Sequence, residues 1–473
     1  MRLSKENYSK FSFLKGAAWI ATGGFVAKLI GALYRIPLTN LIGGHGMGLY
    51  QMVYPVYCLL LTVSATGIPS SIAKLTAERI GKGRSAQPLL KTAMRLFLII
   101  GGVGSILMAV IAPVLSAAQG SEEVLGGYYT LAPSVFLVSA ISVFRGWFQG
   151  RNEMRPTALS EITEQAVKVT FGLFFANLYR EQIGKAVVFL LLSVSISELA
   201  ALLLMIFLYG RSRRKENRLK EKNQRAPAYA DLENDGGMVE TKKERVMAKT
   251  VLKLSIPVTF SSILLPLSGL LDSVLAPRLL SAYAEDAVAL FGLFSGGAVT
   301  IINLPVSVCY GIAAASVPAV ASAERPRKKI FFSLWITLLI AVPSALALYW
   351  FAEPVSRIIF KSLTGAELQT LSGLVKAFSV SALTLSCVQT LSACLTAQGK
   401  PQYAALSMLI AVTVKTLTYL PLLKNPNISV FGLAYATNIC YLVAFLLDLL
   451  YNLRVSKISA KTDERKKEKS EDG

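Results

Sequence analysis

Long apolar runs recur along almost the entire chain, and short polar or basic segments separate them. An α-helix needs about 20 apolar residues to cross a hydrocarbon core of about 30 Å, and about twelve stretches reach that length. Their approximate cores lie at 14–36, 48–72, 88–114, 127–148, 156–178, 184–209, 251–277, 287–315, 329–351, 372–396, 401–421 and 428–452. The pattern predicts an all-α integral membrane protein with about twelve transmembrane helices.

Composition agrees with this pattern. Of the 473 residues, 53% are hydrophobic and 16% are charged, and the mean hydropathy is +0.52. This is more apolar surface than the core of a soluble protein hides. The first apolar run is long, contains Lys28 and lacks a small-residue cleavage site after a short core, so we expect a retained first helix rather than a signal peptide.

Basic residues concentrate in alternate loops, as they do where cationic loops stay in the cytoplasm. If the N-terminus is inside, the "RPRKK" loop (325–329) and the charged stretch 210–248 are both cytoplasmic. We therefore expect a multi-pass protein of the cell membrane with both termini in the cytoplasm. The net charge of +21 then faces the anionic inner leaflet, which favours anionic membrane lipids over nucleic acid as partners.

The stretch 210–248 is highly charged and has no apolar periodicity, which is typical of a linker. It divides the predicted spans into two sets of six. We therefore predict an N-terminal lobe (1–209), a basic cytoplasmic linker (210–248), a C-terminal lobe (249–453) and a charged cytoplasmic tail (454–473).

The two predicted lobes share a weak internal repeat. The segment "FQGRNEMRPTALSEITEQAVKVT" (148–170) aligns with "AQGKPQYAALSMLIAVTVKTLT" (397–418) if a two-residue gap is allowed. The alignment matches "ALS" with "ALS" and Lys168 with Lys415. Because each half has an even number of spans, both halves have the same orientation, which implies a two-fold axis along the membrane normal.

Cations inside the spans are candidates for substrate binding, because transporter sites tend to lie near mid-membrane where repeats face each other. Lys28 lies roughly 14 residues into the first span, about 21 Å deep at 1.5 Å per residue. Arg35 is near the outer end of that span and is either a snorkelling anchor or a ligand. Lys168 and its repeat counterpart Lys415 are predicted to face a watery cavity and contact an anion.

Acidic residues on the fifth predicted span form a polar stripe with a lysine. Glu161, Glu164 and Lys168 are spaced three and four residues apart, so they share one helical face. Either Glu164 and Lys168 neutralise each other, or the stripe lines the predicted cavity.

Two further carboxylates lie inside spans. Lys415 has no acidic neighbour on its own helix, so it needs a partner from another helix, and Glu198 in the sixth span is such a candidate. Asp272 in the seventh span is predicted either to bind a coupling cation, Na+ or H+, or to pair with Arg278 at the outer surface.

Catalytic signatures are missing from the sequence. It has no phosphate-cradling Walker loop, no G-x-S-x-G elbow and no His/Cys metal spacing. His45, in the turn "IGGHGMG", is interpreted as a loop residue because nothing titratable lies beside it in the sequence. We therefore predict a protein that is not an enzyme and has no metal or organic cofactor.

Three ordered motifs resemble a known family. "AKLIGALYRIPLTNLIGGHGMGLYQMVYP" (27–55), "GIPSSIAKLTAE" (67–78) and "FRGWFQGRNEMRPTALSEITEQAVKV" (144–169) are similar to the polysaccharide-exporter branch of the MOP superfamily. Within it, the chain resembles the stage V sporulation protein B group of Gram-positive bacteria, which is related to MurJ-type and Wzx-type flippases. Members of this branch often have fourteen spans, two more than are predicted here.

The resemblance implies two six-helix lobes in a MATE/MurJ-like V shape that opens alternately to either side of the membrane. It implies export of an undecaprenyl-pyrophosphate-linked sugar to the outer leaflet for cell-wall, polysaccharide or spore-cortex synthesis. Lys28 and Arg35 fall in the first-helix region where family members place cavity cations. Two alternatives remain open: a MATE-type cation-coupled antiporter of drugs or metabolites, and a membrane scaffold that recruits cell-wall synthesis enzymes.

Overall fold

The computed structural model describes residues 5–222, 246–253, 255, 259, 262–321, 326–363 and 365–471. All regular elements in those ranges are helical. The first six helices are α1 (Lys5–Leu61), α2 (Ile68–Gly81), α3 (Gln87–Gln119), α4 (Leu125–Gly150), α5 (Arg155–Leu178) and α6 (Ile183–Lys222). They are followed by α7 (Leu264–Leu280), α8 (Ala287–Gly292), α9 (Val299–Ala321), α10 (Pro326–Trp350), α11 (Ala352–Ile359), α12 (Gly365–Ala397), α13 (Pro401–Leu423) and α14 (Phe431–Glu471).

Helix α1 joins the first two predicted spans without a loop. Its 57 residues are interrupted at Gly43, where φ is 67° and ψ is −172°. Glycine adopts a positive φ at little energetic cost, whereas other residues are strained there, so the kink falls at this position. The glycine-rich segment that was expected to be a turn is therefore helical on both sides of a kink.

Nine helical segments in the described part of the chain are long and apolar enough to cross a membrane. One of them, Leu29–Gly81, contains the second predicted span (48–72) and the end of the first (14–36). Helix α5 has the required length but carries four charged side chains, and the predicted span 251–277 lies partly outside the described residues. The all-helical membrane class is confirmed, whereas the number twelve stays a prediction.

The chain forms two compact units. The first unit comprises Met1–Gly31, Val53–Ala117 and Ser121–Pro266, and the second comprises Ala32–Met52, Ala118–Gly120 and Leu267–Gly473. Helix α6 continues to Lys222 and α14 to Glu471, beyond the last apolar residues of their spans. Most of the predicted linker, residues 223–245, lies outside the described residues. The predicted lobe boundaries stay a prediction.

Close packing of α4 on α2 organises the core of the first unit. Gly146 and Gly150 lie one turn apart on α4, and a Cβ at Gly146 would come within 2.8 Å of the Pro69 carbonyl oxygen. Small residues at this spacing let two helix backbones approach closely in a membrane. The neighbouring Trp147 is 1% exposed, and its ring centroid lies 5.1 Å from that of Tyr209 on α6.

The segment Ala32–Met52 packs within the second unit. Asn40 Nδ2 donates to the carbonyl oxygen of Ile359 at 2.9 Å, and a Cβ at Gly48 would overlap the Val288 carbonyl oxygen. His45 Nδ1 lies 2.9 Å from Asp286 Oδ2. His45 thus has a titratable partner 241 residues away, which its sequence neighbours did not reveal.

Candidate functional site

A first polar cluster lies inside the first unit and joins side chains from four helices. Its members are Tyr57 on α1, Arg145 on α4, Ser160, Glu164 and Lys168 on α5, and Glu198 on α6. Arg145 donates from Nε to Ser160 Oγ at 2.9 Å and from Nη2 to Glu164 Oε2 at 3.1 Å. A guanidinium and a carboxylate therefore connect α4 to α5 in a charge-assisted pair, the stronger kind of hydrogen bond.

Glu198 is the most buried acid of the first polar cluster, with 3% of its surface exposed. Its Oε1 accepts a hydrogen bond from the Tyr57 hydroxyl at 3.2 Å, and its Oε2 has no hydrogen-bond partner among the described residues. Arg145, Glu164 and Lys168 all act on it electrostatically. Two basic and two acidic groups thus balance one another inside the helices, which reduces the cost of keeping charge there.

A second polar cluster lies inside the second unit and consists of Ser268, Asp272 and Lys415. Lys415 Nζ lies 2.5 Å from Asp272 Oδ2, and the two side chains are 5% and 15% exposed. The same Nζ donates to Ser268 Oγ at 3.1 Å. Asp272 Oδ1 is buried with no hydrogen-bond partner in the part of the chain that the structure describes. The lysine therefore has a carboxylate and a hydroxyl as partners, and the second oxygen of that carboxylate accepts no hydrogen bond from the described residues.

The structure gives two of the predicted acids different partners from those expected. Lys415 pairs with Asp272 of α7 instead of Glu198, because α7 and α13 belong to the same unit and bring them together. Asp272 is accordingly engaged by Lys415, and the alternative pairing with Arg278 is not what the structure shows. Glu164 pairs with Arg145 of the preceding helix, a residue at the end of the predicted span 127–148.

The remaining predicted site residues lie on α1 and α5. Lys28 is on the helical backbone of α1, and its side chain lies outside the described residues. Arg35 is half-buried, and its carbonyl accepts a hydrogen bond from Thr39 Oγ1 at 2.9 Å. Glu161 is half-buried on α5, and Lys168 on the same helix is 9% exposed. Their roles as substrate ligands stay predictions.

Sequence reasoning missed Arg145, Tyr57 and Ser268. Helix α4 continues to Gly150, so Arg145 is more than one turn inside it and reaches α5. Its place three residues before the end of the predicted span 127–148 was the available signal, because a cation there is close enough to the helix interior to contact an acid. No group of three or more His, Cys, Asp or Glu side chains in the described residues could hold a metal ion.

Charged groups buried among membrane-spanning helices, as in the two polar clusters, are characteristic of proteins that move ions or polar substrates across a membrane. The fold matches that class. It aligns with an inward-facing multidrug resistance MATE family transporter of the MOP superfamily with a TM-score of 0.70 and 14% identity, covering 92% of this chain and 96% of the transporter. It also aligns with lipid II flippase MurJ in an inward closed conformation, with a TM-score of 0.65 and 16% identity over 93% and 90% of the two chains.

Sequence comparison identifies the particular family. Residues 13–324 match the family model of polysaccharide biosynthesis proteins, and the chain belongs to that family. It is 26% identical to stage V sporulation protein B of Bacillus subtilis over 465 residues, 95% of this chain and 85% of the relative. It is 21% identical to lipid II flippase MurJ of the same organism over 466 residues, 92% and 81% of the two chains. The resemblance to the MOP superfamily and its stage V sporulation protein B-like group is confirmed.

Proposed function

We propose that this protein is an alternating-access flippase for a lipid-linked anionic sugar. The substrate is an undecaprenyl-pyrophosphate oligosaccharide or peptidoglycan precursor, carried from the inner to the outer leaflet for cell-wall, polysaccharide or spore-cortex synthesis. The family match and the similarity to a relative named as a lipid II flippase support this proposal. We further propose that both termini are cytoplasmic and that the host is a Gram-positive bacterium.

The observation that carries the proposal is the pair of buried lysines at matching repeat positions. Lys168 and Lys415 are 9% and 4% exposed, on α5 and α13. A lysine near the middle of a membrane helix costs about 2.5 to 3.5 kcal/mol on insertion scales, so its presence in both halves calls for a function. A pyrophosphate headgroup offers several anionic oxygens to such ammonium groups. Two buried lysines at matching positions of the predicted repeat therefore favour an anionic substrate.

Exchange of partners at Lys415 provides a way for the substrate to bias the transport cycle. Without substrate, the ammonium group is held by Asp272 and Ser268. A phosphate oxygen that replaces Asp272 stabilises only the conformational state in which Lys415 can contact the phosphate. The substrate then binds that state more tightly than the other state, and this difference in affinity shifts the equilibrium between them. Asp272 is then free to take up a coupling cation, Na+ or H+. Lys28 and Arg35 are proposed as further headgroup ligands, with Glu161, Glu164 and Glu198 as their polar partners.

The direct test is leaflet exchange of a fluorescent undecaprenyl-pyrophosphate sugar in liposomes that contain the purified protein. We expect rapid exchange with the native chain and exchange slowed about tenfold or more by Lys168→Gln or Lys415→Gln, because each removes a charge-assisted contact of about 1.5 to 3 kcal/mol. Lys28→Ala should have a similar effect. The matched control is Lys400→Gln, since Lys400 is exposed on the turn between α12 and α13 and should leave the rate unchanged.

A MATE-type antiporter for organic cations is the second candidate function. The fold alignment with a MATE transporter and the buried carboxylates Glu198 and Asp272 favour it. Folded protein that gives no lipid exchange above empty liposomes, but drives dye efflux when a cation gradient is imposed, would establish this function instead. Failure of both assays would leave recruitment of cell-wall synthesis enzymes as the remaining hypothesis.

A further inference from the structure

A third polar cluster surrounds Asp448 in the second unit, away from the lysines of the proposed transport site. Asp448 lies on α14 and is 0% exposed. Its Oδ2 accepts a hydrogen bond from Ser392 Oγ of α12 at 2.5 Å, and its Oδ1 accepts one from Ser407 Oγ of α13. One carboxyl group therefore joins three helices through neutral hydroxyl groups.

Asp448 has no ion-pair partner in the part of the chain that the structure describes. Charged and titratable groups on α14 and on the helices that pack against it include Arg327 of α10, Cys394 of α12, Lys400 of the following turn, Tyr403 of α13, and Tyr451 and Arg454 of α14. None of them forms a hydrogen bond or ion pair with Asp448 among the described contacts, and the rings of Tyr403 and Tyr451 stack on each other at 4.8 Å. Lys415, further along α13, is engaged by Asp272.

The other acids paired inside the two units contrast with Asp448. Asp272 has the ammonium group of Lys415 at 2.5 Å, and Glu164 has the guanidinium of Arg145 at 3.1 Å. An ionised carboxylate without a cation is so costly in an apolar interior that the group takes up a proton instead. Hydroxyl groups suit either form of the acid, because each can donate or accept a hydrogen bond.

We propose that Asp448 is a proton-binding site within the membrane, at which the carboxylate and one proton form a neutral carboxylic acid. When the acid is protonated, its O–H donates to one serine oxygen while the other serine continues to donate to the C=O. The geometry favours a proton over a metal ion. Oxygens that share a hard cation each lie about 2.0 to 2.6 Å from it, and the hydrogen-bonded oxygens of Ser392 and Asp448 leave no room between them.

A small cavity lies beside α14, about one turn along the helix from Asp448. Residues of α10 and α14 line it, and Arg327 and Asn452 are among them. Asn452 Nδ2 donates to the backbone carbonyl oxygen of Asp448 at 2.8 Å, and its Oδ1 accepts from Gln398 Nε2 at 2.8 Å. We propose that the proton exchanges with the side of the membrane on which Arg327 lies, which the positive-inside rule assigns to the cytoplasm.

Infrared difference spectroscopy of the full chain in liposomes tests the site directly. The native protein should show the carbonyl stretch of a protonated carboxyl group near neutral pH, and this band should disappear as the pH is raised. Asp448→Asn keeps the shape of the side chain and should remove the part of the band that belongs to Asp448, whereas Glu353→Gln, which alters an exposed ion-paired acid, should leave the band unchanged. Glu198, which is 3% exposed, is present in all of these proteins, so any band of its own cancels in the native-minus-variant difference. A native-minus-Asp448→Asn difference without the band would overturn the proposal.

A second variant covers the case in which Asp448→Asn fails to fold. Ser407→Ala retains the acid but removes one hydroxyl donor, so the band should persist at a shifted frequency. An unchanged frequency would contradict the proposed contact. The consequence for transport rests on the proposed flippase function: lipid exchange by the native chain should respond to an imposed pH gradient, and exchange by Asp448→Asn should not. If the protein shows the protonated-carboxyl band but exchanges no lipid, the proposal of a proton site stands and the proposal of a flippase is wrong.

Discussion

Removing the carboxylate from the second polar cluster should destabilise the protein strongly. Lys415 Nζ lies 2.5 Å from Asp272 Oδ2, and the side chains are 5% and 15% exposed, so Asp272→Asn leaves a buried ammonium group without its counter-charge. Breaking a buried ion pair on one side typically costs about 3 to 5 kcal/mol. Ser268 Oγ, 3.1 Å from the same nitrogen, remains as a partner. We therefore expect the lower end of that range, about 3 kcal/mol.

The double variant Asp272→Asn/Lys415→Met removes both charges together. It therefore distinguishes the loss of the ion pair from the cost of leaving one charge buried alone. A buried pair can often be replaced by uncharged groups of similar volume with little loss of stability, so the double variant should lie within about 1 kcal/mol of the native protein. The coupling energy of the cycle should then be about 3 kcal/mol or more, the sign of a direct contact. Denaturant titration of the four purified proteins in mild detergent measures the free energies of unfolding.

The exposed pair of Glu353 and Arg357 is the matched control. Its atoms are also close, at 2.8 Å, but the side chains are 63% and 68% exposed, so its coupling energy should be about 0.5 kcal/mol or less. The reasoning is refuted if Asp272→Asn alone is as stable as the native protein, because Lys415 would then be uncharged or unpaired. A double variant that folds normally but exchanges no lipid would assign Lys415 a substrate role beyond stability.

Two further predictions concern packing and hydrogen bonding in the first unit. Gly146→Ala should lower the yield of folded protein, because a Cβ there would come within 2.8 Å of a carbonyl oxygen of α2. Gly102→Ala should be tolerated, because the nearest atom to its Cβ would be 3.9 Å away. Size-exclusion chromatography of the two variants measures the yield of folded protein. Tyr57→Phe removes the hydroxyl that donates to Glu198 at 3.2 Å and should cost about 1 to 3 kcal/mol. In thermal unfolding, Tyr57→Phe should lower the midpoint, while Tyr129→Phe, at a site 47% exposed, should leave it unchanged.

The membrane fold could be predicted because burial in lipid imposes a simple rule on sequence. Every backbone polar group must be satisfied within its own helix, so an apolar run of sufficient length indicates a span. The rule identifies a span less well when the helix carries charged side chains. Helix α5, for example, has 24 residues and four charged side chains. The rule also does not show how spans are joined: two helical segments meet directly at the Gly43 kink, where a loop was expected.

The candidate site could be predicted only in part, because partners depend on which helices are neighbours. A buried Lys415 without an acid on its own helix demands a partner elsewhere, and that need was visible in the sequence. The identity of the partner was not, since Asp272 is 143 residues away and Glu198 met the same chemical requirement. Arg145 falls inside the predicted span 127–148, but the sequence does not show that its guanidinium reaches Glu164 of the next helix, as it does in the structure.

Two serines at matching positions of the predicted repeat have partners of different chemistry. Ser160 and Ser407 occupy matching positions in the two "ALS" segments, near the starts of α5 and α13. Ser160 accepts a hydrogen bond from the guanidinium of Arg145, whereas Ser407 donates one to the carboxyl group of Asp448. The same hydroxyl thus serves a permanent cation in one unit and a titratable acid in the other. Because the arginine keeps its charge at every physiological pH, the partner of Ser160 cannot change its charge with pH, whereas the partner of Ser407 can, so the two matching serines have partners that respond differently to pH.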